Sequence, residues 1–186
     1  MKKIIFVILL TTLNLQSQVE IVNRPMHSAV IDTALNYQNL IDVGGKKTDT
    51  NIQKFLKSVG LSGEQPYCQA FVYYCHSVNG IAEFKTGLAN GYYSSLKKKY
   101  GVGTRHAVSV ENKQGIICWK YPNSSKGHDG FILNVPIAGY VRTLEGNTSY
   151  DNSSVDGRLY SGKKGVFSKI RRVGRLGQMK LRGIIQ

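Results

Sequence analysis

Acidic residues are scarce in this chain: 11 Asp and Glu stand against 25 Lys and Arg over 186 residues, a formal net charge of +14. An excess of that size favours polyanionic partners, whether nucleic acid, anionic lipid or an anionic wall polymer, and does not choose among them. A recognition helix and an aromatic-basic repeat are both missing, so nucleic acid is not expected as a partner. Long hydrophobic runs are missing too. The apolar run over residues 4–10 follows Lys2 and Lys3 and is too short to cross a bilayer. It fits a secretory signal peptide over residues 1–18, leaving one folded domain over residues 19–186. There is no Ala-x-Ala site, so cleavage is placed near Ser17 or Gln18. Removing this leader takes away only Lys2 and Lys3, which leaves 14 − 2 = +12. No cysteine lies near the junction to carry a lipid. The expectation is a secreted or periplasmic protein without a stable membrane anchor.

Cysteines are few as well. There are three, so they cannot all pair within the chain, although an exported protein meets an oxidising space. At least one is a free thiol or pairs with another molecule. They lack C-x-x-C spacing, and no histidine pair is placed to complete a zinc site, so neither metal nor cofactor is expected.

Repeats, low-complexity tracts and proline-rich linkers are also absent. What is present divides into two textures. In the first half, apolar residues recur near helical spacing over residues 29–41, with Gly44 and Gly45 as a stop. "TDTNIQKFLKSVG" predicts a second helix, with Thr48 or Thr50 as cap and Gly60 as its end. "CQAFVYYCHSVNG" predicts a third, and "NGYYSSLKKKYG" a short fourth. From Gln114 onward, "GIICWKY", "GFILNV", "YVRTLEGN" and "KGVFSKIRRV" read as strands joined by turns. Helices followed by strands predict an α+β fold, with N-terminal helices packed on a mostly antiparallel sheet.

Three places carry possible chemistry. Cys68 stands two residues after Pro66, where the third helix begins. Unpaired N–H groups and the positive end of the helix dipole favour a thiolate there, and the same amides could hold an oxyanion. A nucleophile, a disulfide half, a metal ligand and a small core residue are all open readings of this position. His128 lies in "GHDGFIL", at the start of a strand beside a loop. Glu145 and Asn147 end the strand "YVRTLEGN". If both stay extended, a period of two puts their side chains on one face, where a carboxylate could orient an imidazole. His76 follows Cys75, about 80° round the helix from Cys68, and is badly placed as its base. Cys75 reads as core, and a Cys75–Cys118 disulfide is open.

Taken together, "PYCQAFVYYC", "GHDGFIL" and "TLEGNTS" resemble the three sequence blocks of the CHAP family. The upstream helices resemble that family too, so the likeness covers about residues 28–172, with 81–113 poorly matched. The resemblance implies a papain-like fold and a cysteine amidohydrolase or peptidase of bacterial peptidoglycan. It cuts either the N-acetylmuramoyl-L-alanine amide or a bond of the stem or cross-bridge. A few members of the family act on glutathionyl-spermidine instead. By motif, Cys68 is the nucleophile, His128 the general base and then acid, Glu145 its orienter and Asn147 a supporting polar group. Gln65 or the Cys68 backbone amide would serve the oxyanion. Ile116 stands where the family often has Asp, Tyr67 where it has Trp, and Asp129 where it has an apolar residue. Asp129 is expected to raise the His128 pKa. Alternatives are an antibacterial effector or lysis protein with the same chemistry, with an immunity or delivery partner, and a catalytically dead wall-binding domain.

Overall fold

A computed structural model describes residues 18–22, 24, 26–42, 46–106, 114–137, 139–149 and 163–186. The expected leader falls outside these residues except for Gln18, which opens a strand.

The helices are α1 (Ser28–Leu35), α2 (Thr50–Ser58), α3 (Cys68–Ser77) and α4 (Ala89–Tyr100). The first is shorter than its apolar spacing predicts. Asn39 turns into the left-handed region at φ 68°, and the backbone leaves the helix to pair with a strand. Asn39 N donates to Val166 O at 2.8 Å, and Val166 N returns a bond to Leu40 O at 2.9 Å. Sheet pairing therefore replaces the helical bonds that Leu40 and Ile41 would have made. The second helix is capped by Asp49, not by Thr48 or Thr50. Its carboxylate accepts from Asn51 N at 2.8 Å and Ile52 N at 3.3 Å, which satisfies two donors of the first turn. Gly60, at φ +80°, then lets the chain turn out of this helix. The fourth helix is the longest described, at 12 residues, and buries Tyr92, Tyr93 and Leu96.

The strands are β1 (Gln18–Val22), β2 (Gly103–His106), β3 (Gly115–Lys120), β4 (Gly127–Ile137), β5 (Tyr140–Ser149), β6 (Lys164–Arg172), β7 (Arg175–Leu176) and β8 (Met179–Ile185). They form one sheet in the order β2-β1-β8-β3-β4-β5-β6, with β7 paired to β8. All described pairings are antiparallel except β1 with β8. The fold is thus α+β with a mostly antiparallel open sheet. It is not a plain succession of helices and then strands. β1 precedes every helix, and β8, from the last residues, sits in the middle of the sheet.

Alternation along β3 and β4 divides the core in two. Ile116, Cys118 and Phe131 join Phe71, Cys75, Tyr92 and the other helical residues in one cluster. Ile117, Trp119 and Ile132 join Val141, Val173 and Ile184 in a second, on the opposite face. The rings of Phe71 and Phe131 meet edge to face at 5.7 Å, which ties α3 to β4. This contact fixes the first turn of α3 over the sheet, and with it Cys68.

Candidate active site

Cys68 is the first residue of α3, after the N-cap Tyr67, which is fully buried. The residue is 6% exposed and forms no disulfide. Cys68 lies close enough to act on the charge of both His128 and Asp129. One side of the His128 ring is taken: His128 Nε2 meets Glu145 Oε2 at 3.0 Å. Nδ1 is the ring nitrogen that Glu145 leaves unengaged. The His128 ring is itself stacked on Trp119, with centroids 6.1 Å apart and planes at 21°. A ring held at one nitrogen and along one face keeps little rotational freedom.

Glu145 is the most enclosed member, at 0% side-chain exposure. A buried carboxylate is costly unless its lone pairs are filled. Arg171 fills two of them as a fork, Nε to Oε1 at 2.8 Å and Nη2 to Oε2 at 2.7 Å. The Thr143 hydroxyl donates to Oε1 at 2.6 Å. Burial alone would raise the Glu145 pKa, but the hydrogen bonds and charges of Arg171 and His128 outweigh it and hold the group well below the usual carboxylate range. A stable carboxylate then acts on the ring. Burial opposes a charged imidazole, yet the hydrogen bonds and charges of Cys68 and Glu145 prevail and push the His128 pKa up to about 10.

Two glycines make the approach possible. Gly130 stands opposite Glu145, and a Cβ there would come within 2.7 Å of the Glu145 side chain. Its absence lets the carboxylate lie under His128. On the other face of β5, a Cβ on Gly146 would meet Phe71 Cβ at 2.9 Å. Its absence lets α3 settle against the strand. In "LEGN", then, Glu145 serves one face of the sheet and Gly146 the other.

Asn147 is not extended as period two requires. It adopts φ 56°, and the β5–β6 register shifts between Glu145 and Thr148. The strand bulges there, so the extended backbone on which the expected shared face with Glu145 depended is absent. Its amide oxygen is buried and has no hydrogen-bond partner among the described residues. Gln65 is exposed in the loop before α3.

Asp129 follows His128 on β4 and so points to the opposite face, beside its cross-strand neighbour Cys118. Its carboxyl is fully buried, and Cys68 and His128 both act on it. Burial pushes its pKa up to about 7, against the lowering influence of His128 and Cys68. Cys68 and Glu145 are the chief groups that raise the His128 pKa, and the charge coupling between His128 and Asp129 acts in the direction expected from sequence.

The remaining candidates are structural. His76 is fully buried, its Nδ1–H donates to Val72 O at 2.8 Å, and burial lowers its pKa to about 4. Cys75 and Cys118 are free thiols packed in the helical cluster, so the disulfide left open by sequence is not formed. Burial raises both of their pKa values, which makes them inert next to Cys68. Among the described residues no group of three or more His, Cys, Asp or Glu is placed to hold a metal.

Two members of the site were missed in the sequence. Thr143 lies two residues before Glu145, so strand period alone could have marked it. Arg171 is one cation among several in "KIRRV", and nothing local separates it from Arg172. Compared with known protein families, characterised proteins and solved structures, the chain matches none of them.

Proposed function

We propose that this chain is a cysteine amidohydrolase with the papain-like arrangement of the CHAP family, and that it hydrolyses amide bonds of bacterial peptidoglycan after export. The observation that carries this reading is the His128 Nε2–Glu145 Oε2 hydrogen bond at 3.0 Å, in a pair that Cys68 at the start of α3 acts upon. A nucleophile, a base and an orienter stand in series, as covalent acyl transfer requires.

The steps follow from these groups. At neutral pH the His128 ring already carries the proton as an imidazolium, which the Glu145 carboxylate stabilises. The Cys68 sulfur attacks the amide carbonyl. The developing oxyanion lies by the start of α3, where backbone N–H groups lack helical partners. His128 then gives its proton to the leaving nitrogen, the C–N bond breaks, and a thioester remains on Cys68. Water attacks the thioester with His128 as base, which frees a carboxylate and releases Cys68. Arg171 and Thr143 touch no reacting atom in this scheme; they position Glu145. The net positive charge of the chain supports retention on an anionic wall, an attraction that salt weakens.

Incubation of purified sacculi with wild type and Cys68→Ala tests the proposal. Wild type should release muropeptides with newly formed amine and carboxyl ends, and the variant none. Equal release by both, or none by wild type, would refute it. Mass spectrometry of the products identifies the bond.

A further inference from the structure

The helices cover only part of their face of the sheet. Leu144 lies beneath them, in the helical cluster. Arg142 and Tyr140 share its face by the period of the strand, two and four residues earlier, and both are exposed. Their partners across the ladders are exposed as well. Tyr140 pairs with Ile137 on β4 and Arg172 on β6, and Arg142 pairs with Ile170 on β6. Ile137 is 62% exposed, Ile170 59% and Tyr140 38%. Directly opposed residues have Cβ atoms only about 5 Å apart, so these five form one continuous patch. Scattered exposed apolar residues are ordinary, whereas a contiguous group rimmed by cations marks a contact surface.

The charge around the patch has one sign. On β4, β5, β6, β7 and β8, together with the described residues that join them, the carboxylates are Asp129 and Glu145, and both are fully buried. Residues 163–182 alone carry eight Lys and Arg and no acid. An anionic partner therefore meets no opposing exposed acid on the described part of these strands. A polyanion would be served by the arginines but would gain nothing from two bare isoleucines. A second copy of a chain at +14 is repelled. An anionic bilayer offers both phases, phosphates for arginine and an apolar layer for Ile and Tyr.

We propose that this end of the sheet docks reversibly on an anionic lipid surface, with Ile137, Tyr140 and Ile170 entering the headgroup layer and Arg142 and Arg172 pairing with lipid phosphates. The contact is peripheral, and among the described residues no helix is long and apolar enough to cross a membrane. Tyr140 opens β5 and Glu145 lies at its middle, about 17 Å further along the strand, so docking leaves the Cys68 site accessible. The inference stands independently of the chemistry proposed for Cys68.

Vesicle co-sedimentation of the whole protein tests it. Two compositions are needed, phosphatidylcholine alone and phosphatidylcholine with one-third phosphatidylglycerol, each with and without soluble polyphosphate. Binding should require phosphatidylglycerol and survive polyphosphate in part. Arg142→Gln or Arg172→Gln should each weaken it about fivefold, the share of one cation near an anionic surface. Ile137→Ser combined with Ile170→Ser should weaken it at least tenfold, as expected for two partly inserted side chains. Ile137→Thr with Ile170→Thr keeps the strand propensity and should behave alike, which separates lost contact from lost structure. The proposal is overturned if phosphatidylglycerol vesicles do not bind, which would favour a protein partner. It is equally overturned if folded isoleucine variants bind like wild type, which would reduce the attraction to bare charge.

Discussion

Replacing Arg171 by methionine keeps most of the side-chain volume and removes the fork that holds Glu145. In the variant Glu145 stays at 0% exposure but retains only Thr143 and His128 as partners. Breaking one side of a buried ion pair costs about 3–5 kcal/mol when both groups are enclosed. Arg171 is 20% exposed, so solvent screens part of the interaction, and a loss of about 2–3 kcal/mol at pH 7 is expected. The pH dependence carries the sharper signature. The folded pKa of Glu145 is depressed, so its contribution is present above the unfolded value near 4.3 and is lost as pH falls toward the folded one. Without Arg171 the depression shrinks. The difference between wild type and variant should therefore be full at pH 7 and narrow below about pH 4. Urea unfolding at pH 7, 5 and 3.5 measures it, with Arg171→Lys expected in between because it keeps the charge and loses the fork. A difference below about 0.5 kcal/mol at pH 7, or one that widens on acidification, would refute the account of Glu145 as a carboxylate clamped by Arg171.

Other expectations follow from the same network. The His128 ring should stay charged well above neutrality in an NMR titration, with its pKa near 10, and Cys68→Ala should lower it by removing the foremost raising partner. Because that folded pKa exceeds the unfolded value near 6.5, the His128 contribution to stability should be full below pH 6.5 and fade as pH rises through about 10. Asp129 works in the opposite sense to Glu145. Its raised pKa makes the ionised form costly, so Asp129→Asn should be nearly neutral in unfolding free energy at pH 4. Above pH 7 it should stabilise by roughly 2 kcal/mol, about half the linkage maximum to allow for relaxation. Gly146→Ala should cost about 1–3 kcal/mol in thermal unfolding and slow iodoacetamide labelling of Cys68, since the new methyl displaces Phe71 and the start of α3. Asp49→Ala should cost about 1 kcal/mol through loss of the α2 cap and leave Cys68 labelling unchanged.

The sequence by itself determined the local elements and the candidate reactive groups. Helical spacing and Asn79-Gly80 bounded α3, and alternation in "GIICWKY" separated Ile116 and Cys118 from Ile117 and Trp119. These signals are legible because period and turn chemistry act over a few residues. His76 could be set aside for the same reason, since helical geometry fixed its angle to Cys68. Tertiary structure decided what depends on distant backbone. α1 ends early because Leu40 and Ile41 pair with β6, and β8 enters the middle of the sheet although nothing in "MKLRGII" says which strands will flank it. Within the site, the chain alone placed Glu145 near His128 by motif, but it could not choose Arg171 over Arg172 or reveal that Asn147 bulges out of register. Both are settled by the ladder of β5 and β6, whose register brings the fork of Arg171 to a buried carboxylate and leaves Arg172 exposed on the opposite face.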